Sequence, residues 1–285
     1  MIPAAFDYVR PTSVGEAVLA IGAAGEDGKI LAGGQSLIPV LRLRLAYPTT
    51  LVDVGRVAEM QGIRDDGDAI TIGAMTTHHD VLHDPLVREH APLIAQATQT
   101  VADPQVRHRG TFGGALAHAD PAGDLGAVAL ALGCEFVAAG PGGERRIAAE
   151  DFFADYLTTA LAADEVLTRI RVPKLGPGWS SHYEKFNRVA QAWSIVGVAA
   201  LVRRDNGSIA EARIGLTNMG STPLRATATE AALAGADATP SAVGQAAQHA
   251  AEGTSAPSDL SGQADYRQHL ARVLTRRAVL AAMGD

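Results

Sequence analysis

Two short glycine-rich segments carry residue types that could grip a ligand. The first is Leu31-Ala32-Gly33-Gly34-Gln35-Ser36-Leu37. Paired glycines let the backbone take positive φ and approach a bound group closely, aiming successive N–H groups at one point. Gln35 and Ser36 add side-chain donors, so phosphate oxygens suit this turn. A plain strand-to-helix turn uses the same glycine pair, and the segment alone leaves both readings open. The second segment runs from Arg109 to Asp124 and combines Gly110, Gly113 and Gly114 with Thr111, Asp120 and Asp124. Thr111 can donate to a phosphate and Asp124 can accept from a ligand hydroxyl; a loop opened by Asp120-Pro121 is the alternative. Two such segments, about 75 residues apart, favour one extended ligand held from two sides, and a dinucleotide has that shape.

Spacing excludes several other chemistries. A Walker A loop needs Gly-x4-Gly-Lys-Ser/Thr, but Ala23 precedes Gly28-Lys29 and Ile30 follows. No Gly-x-Gly-x-x-Gly follows a strand, so the Rossmann fingerprint is missing. Gly34-Gln-Ser-Leu-Ile38 lacks the last glycine of a nucleophile elbow. His79 and His83 are four apart and could face a metal with Asp80, yet histidines at a polar helix start read more readily as surface residues, and no metal site is expected. The lone cysteine, Cys134, cannot make an internal disulfide, a Cys-based zinc site or an iron–sulfur cluster. It lies in the apolar stretch Ala127–Ala139 and reads as a core residue.

The elements that position these segments belong to a folded chain of 285 residues, 47% hydrophobic and 19% charged, with 30 Gly and 14 Pro. That length suits two or three subdomains. Lys plus Arg number 24 against 31 Asp plus Glu, for a net charge of −7. No basic run offers a nucleic-acid surface. The opening Met1–Asp7 lacks a basic region and is not read as a signal peptide. The longest apolar stretch is broken by Gly133 and Glu135 and falls short of the about 20 residues of a membrane span. A cytoplasmic location is expected, with peripheral association at the inner membrane face left open.

The first 55 residues read as β, α, β, β: strands at Phe6–Val9, Lys29–Ala32 and Leu51–Val54, with a capping box Ser13-x-x-Glu16 opening a helix through about Ala24. Next come a strand at Ala69–Ile72, a polar helix from Thr77, and a helix from Pro92 through Val101 that ends at Asp103-Pro104 because a pre-proline residue avoids the α region. A helix at Leu125–Leu132 and strands at Glu135–Ala138, Glu144–Ile147 and Val166–Val172 follow. Beyond Lys174–Gly178, a linker, strands cover His182–Arg188, Ser194–Arg203 and Ser208–Asn218, with Asn206-Gly207 as a hairpin turn. Helices then cover about 226–234, 240–252 and 263–282, the Ala/Ser/Thr-rich tract 235–258 giving one surface helix with loose flanks. The fold class is α+β.

The two glycine segments together resemble the paired flavin motifs of the FAD-binding medium subunits of molybdenum hydroxylases. The match rests on Ala32-Gly-Gly-Gln-Ser-Leu37, Thr111-Phe-Gly-Gly114, His118-Ala-Asp-Pro121 and Asp124, with the Phe-x-Tyr-x-Arg-Pro-x-Ser opening and Ile72-Gly-Ala-Met-Thr-Thr77. It covers essentially the whole chain. The resemblance implies two N-terminal α/β subdomains forming a PCMH-type FAD-binding domain (1–57 and 58–175), then a C-terminal antiparallel sheet with helices (176–285). It places Leu31, Ala32, Gly33, Gly34, Gln35, Ser36 and Leu37, with Gly110, Thr111, Gly113 and Gly114, at the pyrophosphate and ribityl. Ala117, His118, Asp120 and Asp124 lie along the ribityl and ring, Leu167 and Lys185 near the isoalloxazine, and Val101 and Ala102 at the adenine. Trp193 either lies beside the flavin or packs at the start of its strand. Phe112 and Ala115 depart from the usual family residues without removing a donor.

The resemblance implies an oxidoreductase subunit whose redox chemistry resides in FAD, with no catalytic side chain and no metal on this chain. Partner chains supply two 2Fe–2S clusters (a small subunit) and the molybdenum cofactor (a large subunit), in a dimer of heterotrimers. An external quinone or NAD takes the electrons. Within the family the similarity favours carbon monoxide dehydrogenase over enzymes of purines, aldehydes or N-heterocycles. Two other readings stand beside it: a scaffold of the same fold without cofactor, and a nucleotide-binding enzyme using His118 and Asp120. Arg42, Arg44 and the apolar residues of Leu41–Leu45 form one docking patch, or a helix closing the FAD site.

Overall fold

In the computed structural model, residues 2–284 are described; Met1 and Asp285, the outer ends of the first and last expected units, lie outside them. The chain opens with a three-stranded parallel sheet in the order β1-β3-β2, formed by β1 (Asp7–Val9), β2 (Gly28–Leu31) and β3 (Thr50–Asp53). Helix α1 (Val14–Ala24) connects the first two and buries Ala17, Val18 and Ile21. Ser13 caps it, accepting from Glu16 N at 3.2 Å, while the Glu16 carboxylate reaches back to Thr12 N at 2.7 Å instead of the cap residue. The β, α, β, β reading needs one correction. Helix α2 (Leu37–Arg42) stands between β2 and β3. Pro39 masks it in sequence, but Pro39 falls in the first turn, where no backbone N–H has an intrahelical acceptor.

The second sheet has five antiparallel strands in the order β4-β5-β10-β6-β7: β4 (Ile63–Asp65), β5 (Ala69–Gly73), β6 (Glu135–Gly140), β7 (Gly143–Ala148) and β10 (Val166–Pro173). Between β5 and β6 run α3 (His78–His83), α4 (Pro85–His90), α5 (Pro92–Gln99), α6 (Pro104–Arg107), α7 (Phe112–His118) and α8 (Asp124–Leu132). Proline opens α4, α5 and α6, where its fixed φ and missing N–H cost nothing. The helix expected to reach Val101 stops at Gln99. Asp103-Pro104 does not end it but starts α6, because extended Asp103 (φ −117°, ψ 173°) accepts from Val106 N. The glycines of 110–114 likewise lie in a helix start, with Thr111 as the cap. Short elements α9 (Ala149–Phe152), β8 (Phe153–Asp155) and β9 (Thr158–Thr159) close this part. Cys134 is buried, and desolvation pushes its thiol up to about 12.

A third sheet follows: β11 (Trp179–Phe186), β12 (Val196–Asp205), β13 (Ser208–Thr217) and β14 (Leu224–Arg225), antiparallel and in sequence order. Asn206 (φ 48°) and Gly207 (φ 86°) make the hairpin turn. Helices α10 (Thr227–Leu233), α11 (Pro240–Ala246) and α12 (Ala264–Met283) cover one face. The tract read as one loose surface helix is instead α11 plus a 3-10 turn over Ala247–Ala251, with Val243, Ala246 and Ala250 buried. Strand β12 alternates: Val198, Ala200 and Val202 face α12's core, while Ala199 and Leu201 join the core beneath α8. Among the described residues no helix is long and apolar enough to cross a membrane.

The α8–β13 crossing sets the distance between the second and third sheets. A Cβ on Gly215 would lie 2.2 Å from the Ala127 carbonyl oxygen, so backbone meets backbone there. Gly215→Ala forces α8 off the sheet and is expected to destabilise the chain by about 1–3 kcal/mol, read as a fall in the urea midpoint. An unchanged midpoint contradicts this packing.

Candidate functional site

The two glycine segments meet. A Cβ on Gly33 would fall 2.2 Å from the Arg109 carbonyl oxygen and 2.8 Å from Gly110 Cα, and one on Gly114 would lie 3.2 Å from Ala32 Cβ. Helix α7 also packs on β10, bringing its start beside the second sheet. Gly34 takes positive φ (74°), which turns the chain from β2 into α2. None of the backbone N–H groups from Gly33 to Leu37 has an acceptor among the described residues. They form a run of free donors at the carboxyl end of a parallel strand, where an anion is bound without a charged side chain. Gln35 is less available than its sequence promised, since its side-chain amide donates to Gly33 O at 3.2 Å. Ser36 stays half-buried with no side-chain capping bond.

The second segment does not offer the same donors. Phe112 N donates to Thr76 O and Gly113 N to Ala74 O, both at 2.9 Å, and Gly114 N donates to Thr111 Oγ1 at 3.2 Å. Gly113 is glycine because a Cβ would lie 2.4 Å from Ala74 Cβ. Thr111 spends an acceptor lone pair on the cap and keeps its hydroxyl hydrogen. This segment is the wall against which the first turn is set.

Behind that wall is a residue missed in sequence, His78, where His79 and His83 drew attention only to the surface. His78 N donates to Gly110 O at 2.9 Å, and its ring edge lies 2.9 Å from where a Gly110 Cβ would stand. The side chain is buried and Nδ1 has no partner. Burial, helped by the charge of Arg107, lowers its pKa to about 4, so the imidazole is neutral at pH 7. The neighbouring His79 stacks on His108 at 3.9 Å and meets His83 at 4.4 Å. Among the described residues no cluster has metal-ligand geometry.

Near the other end of the site, Arg107 Nη1 donates to Val101 O (2.8 Å) and Ala102 O (3.1 Å), holding Ala102 at φ 43°. Lys185 Nζ donates to Thr100 O at 3.1 Å and to Asp124 Oδ2 at 2.8 Å, with both side chains 5% exposed. Asp124 also accepts from Tyr183 (2.8 Å) and Ser194 Oγ (2.6 Å). Burial beside that carboxylate pushes the Tyr183 hydroxyl well above its ordinary range. The carboxylate is thus engaged by protein donors, not left open for a ligand hydroxyl. Leu167 is buried on β10, and Ala117 is half-buried on α7. His118 Nε2 sits 3.9 Å from Asp120 Oδ2, too long for a hydrogen bond. Trp193 is 53% exposed with its ring 6.3 Å from that of His118.

The chain resembles known proteins along nearly its whole length. Residues 4–175 match the family model described as FAD binding domain in molybdopterin dehydrogenase, and residues 181–282 match that of the CO dehydrogenase flavoprotein C-terminal domain. The chain is 42% identical over 283 residues to the carbon monoxide dehydrogenase medium chain of Hydrogenophaga pseudoflava, covering 99% of this chain and 98% of the relative. It is 35% identical over 278 residues to the nicotine 6-hydroxylase medium subunit of Paenarthrobacter nicotinovorans, covering 98% and 97%. A solved carbon monoxide dehydrogenase from Hydrogenophaga pseudoflava, lacking the Mo-pyranopterin moiety of its molybdenum cofactor, superposes with a TM-score of 0.97 at 44% identity over 100% of this chain and 99% of the other.

His78 ties the site to pH. Its folded pKa of about 4 lies below the ordinary 6.5, so the unfolded chain binds a proton first as pH falls. Its contribution is complete above 6.5 and is lost between 6.5 and 4, on the order of 3 kcal/mol in total. The His78→Leu chain is expected to show a flatter Tm profile across that window; a parallel profile contradicts a buried neutral ring.

Proposed function

The chain belongs to the FAD-binding medium subunits of the molybdenum hydroxylases, as its motifs led one to expect, and from that premise we propose that it is the subunit through which electrons leave the enzyme. It takes them from iron–sulfur clusters of a small partner and passes them to an external acceptor. One observation carries the reading: the free donor run Gly33–Leu37, pressed without intervening side chains against Arg109-Gly110. That arrangement fits the pyrophosphate of FAD. Bound FAD supplies the electron storage that no side chain here offers.

The roles of this chain's own residues follow. The N–H groups of Gly33 to Leu37 bind the pyrophosphate, and the Thr111 hydroxyl has a hydrogen to give beside them. Val101 and Ala102, fixed by Arg107, form the adenine end. The Lys185–Asp124 pair, desolvated and cross-braced by Tyr183 and Ser194, holds β11 and α8 at one spacing along the ring end. Leu167, Ala117 and His118 line the remainder, and Trp193 shields it from solvent. Asp120 orders its own loop through Ala122 N at 2.9 Å. No acid or base is needed for electron transfer, and the loose His118–Asp120 pair does not favour one.

The only cysteine of this chain is buried, which supports placing the clusters on the small subunit and the molybdenum cofactor on the large one, with two such trimers per complex. Carbon monoxide is the proposed substrate, oxidised with water to carbon dioxide on the large subunit. The higher identity to the carbon monoxide enzyme than to the nicotine enzyme supports this choice. Around α2, Ile38, Leu43, Leu45 and Tyr47 are 43%, 57%, 72% and 65% exposed beside Arg42 and Arg44, while Leu41 is buried and drops out of the expected patch. Exposed apolar groups so grouped favour a protein partner, and we assign this patch to the small subunit.

Purified full chain given FAD is expected to hold it and absorb near 450 nm. Gly33→Ala, which drives the two turns apart, is expected to weaken binding at least about tenfold, one step of about 1.4 kcal/mol. A wild-type chain that stays colourless overturns the reading in favour of a scaffold. For assembly, Leu43→Glu with Leu45→Glu is expected to keep flavin but lose the small subunit in co-purification; full recovery of the complex refutes the patch.

A further inference from the structure

The short hairpin β8–β9 is anchored more firmly than a surface turn needs. Phe152, at its root, is buried and stacks on Phe136 of β6 at 3.8 Å, the rings 8° from parallel. Phe153 meets both of those rings edge-on, at 5.9 Å and 5.2 Å. At the return end Ala160 N donates to Phe152 O at 2.8 Å, and Ala160 O accepts from Arg145 Nη2 at 2.7 Å. Arg145 is itself held by both carboxylate oxygens of Glu165. Both ends of the hairpin are therefore fixed to the second sheet, and its tip is presented on a rigid base.

That tip is apolar and faces water. Tyr156 is 59% and Leu157 43% exposed, and Leu157 takes φ 53°. Asp155 Oδ1 accepting from Tyr156 N (2.7 Å) and Thr158 Oγ1 donating to Tyr156 O (3.0 Å) hold this conformation. A left-handed leucine is uncommon, because its Cβ crowds the following carbonyl, whereas glycine or asparagine suits the position. A strained leucine half in solvent adds little to the fold of the lone chain, so its side chain serves a contact outside it. The charges around the tip describe that contact. Glu150, Asp151 and Asp155 are exposed, and none forms an ion pair among the described residues. An apolar pair rimmed by three free carboxylates complements an apolar hollow with a basic rim.

Position selects the partner. Tyr156 borders the same cleft as Asp120 and Trp193, at the ring end of the flavin site. Electron transfer between cofactors falls steeply with distance, so the chain that delivers electrons has to cover protein surface at that end. The α2 patch, with Arg42 and Arg44, begins at the pyrophosphate turn instead. Resting on the flavin reading above, we propose that the hairpin tip Tyr156-Leu157 is a second docking point of the small iron–sulfur subunit. That subunit meets the tip with an apolar hollow rimmed by lysine or arginine. Two anchors of opposite charge, basic at α2 and acidic here, fix one orientation of the partner, because the reversed docking sets like charges against each other.

The test uses the assembled holoenzyme with Tyr156→p-benzoylphenylalanine, a photo-crosslinker in place of the tip ring. Irradiation is expected to join this chain to the small subunit. An adduct with the large subunit or with a second copy of this chain overturns the proposal, and so does the absence of any adduct. Leu157→Asn, which relieves the left-handed strain, is expected to leave the Tm of the lone chain unchanged or higher. The same variant is expected to weaken rebinding of the chain to the complex of small and large subunits at least about tenfold. Asp151→Lys with Asp155→Lys is expected to weaken it similarly and to reduce its salt dependence. Variants that rebind as tightly as the wild type refute the docking point, and a Tm lowered by Leu157→Asn refutes the argument from strain. An assembly that carries no flavin at 450 nm fails at the earlier reading instead.

Discussion

The close approach of Gly33 to the Arg109 carbonyl is the constraint from which the rest of the site follows. At that point the parallel sheet and the helical layer of the second sheet touch through backbone alone. Any side chain would hold them apart, and the donor run of Gly33–Leu37 would face open solvent instead of a walled groove. The contact also explains the unequal use of the two glycine segments. One keeps its N–H groups free and is flexible in φ; the other commits them to Ala74 and Thr76 and becomes a rigid backing. His78 extends the same logic inward, because a flat neutral ring fits beneath Gly110 where a charged or branched side chain would not.

A second constraint is electrostatic. Asp124 and Lys185 are both withdrawn from water, and a pair in that state is stable only if its remaining hydrogen-bonding capacity is met. Tyr183, Ser194 and Thr100 O meet it. Asp124 stands in the first turn of α8, where the helix dipole favours a negative charge. The partners come from α8, β11 and the approach to β12, so the network pins the third sheet to the helices that wall the site. Breaking one member leaves a buried charge uncompensated, at a cost of about 3–5 kcal/mol.

Much of this was legible in the residues. Short apolar segments between turn residues marked most strands of the three sheets, though not β4 or β14, and Ser13, Thr77 and Asn206-Gly207 marked a helix start, a second helix start and a hairpin. The misreadings share a cause: proline and glycine were taken as breaks. Pro39 and Pro104 sit in first turns, and Gly113 and Gly114 sit in a helix because packing against Ala74 and Ala32 requires their missing side chains. For the site, sequence located both glycine segments but not their division of labour. Free N–H groups are a property of what the rest of the chain accepts from, and that is fixed only by tertiary contacts. His78 was invisible for the same reason: burial, not residue type, makes it neutral.

The placement of function outside the side chains explains why so few of them look chemical. Among the described residues the strongly shifted groups, His78, Cys134 and Tyr183, are buried and face protein, not an open site. A general acid or base is tuned toward neutral pH and left within reach of substrate; these three are tuned away from it and closed off. Their burial fits the proposed role, in which the reactive group is one that the chain holds. What the sequence had to specify is a groove of fixed width with donors on one side, and two glycine contacts with one buried ion pair are sufficient to fix it.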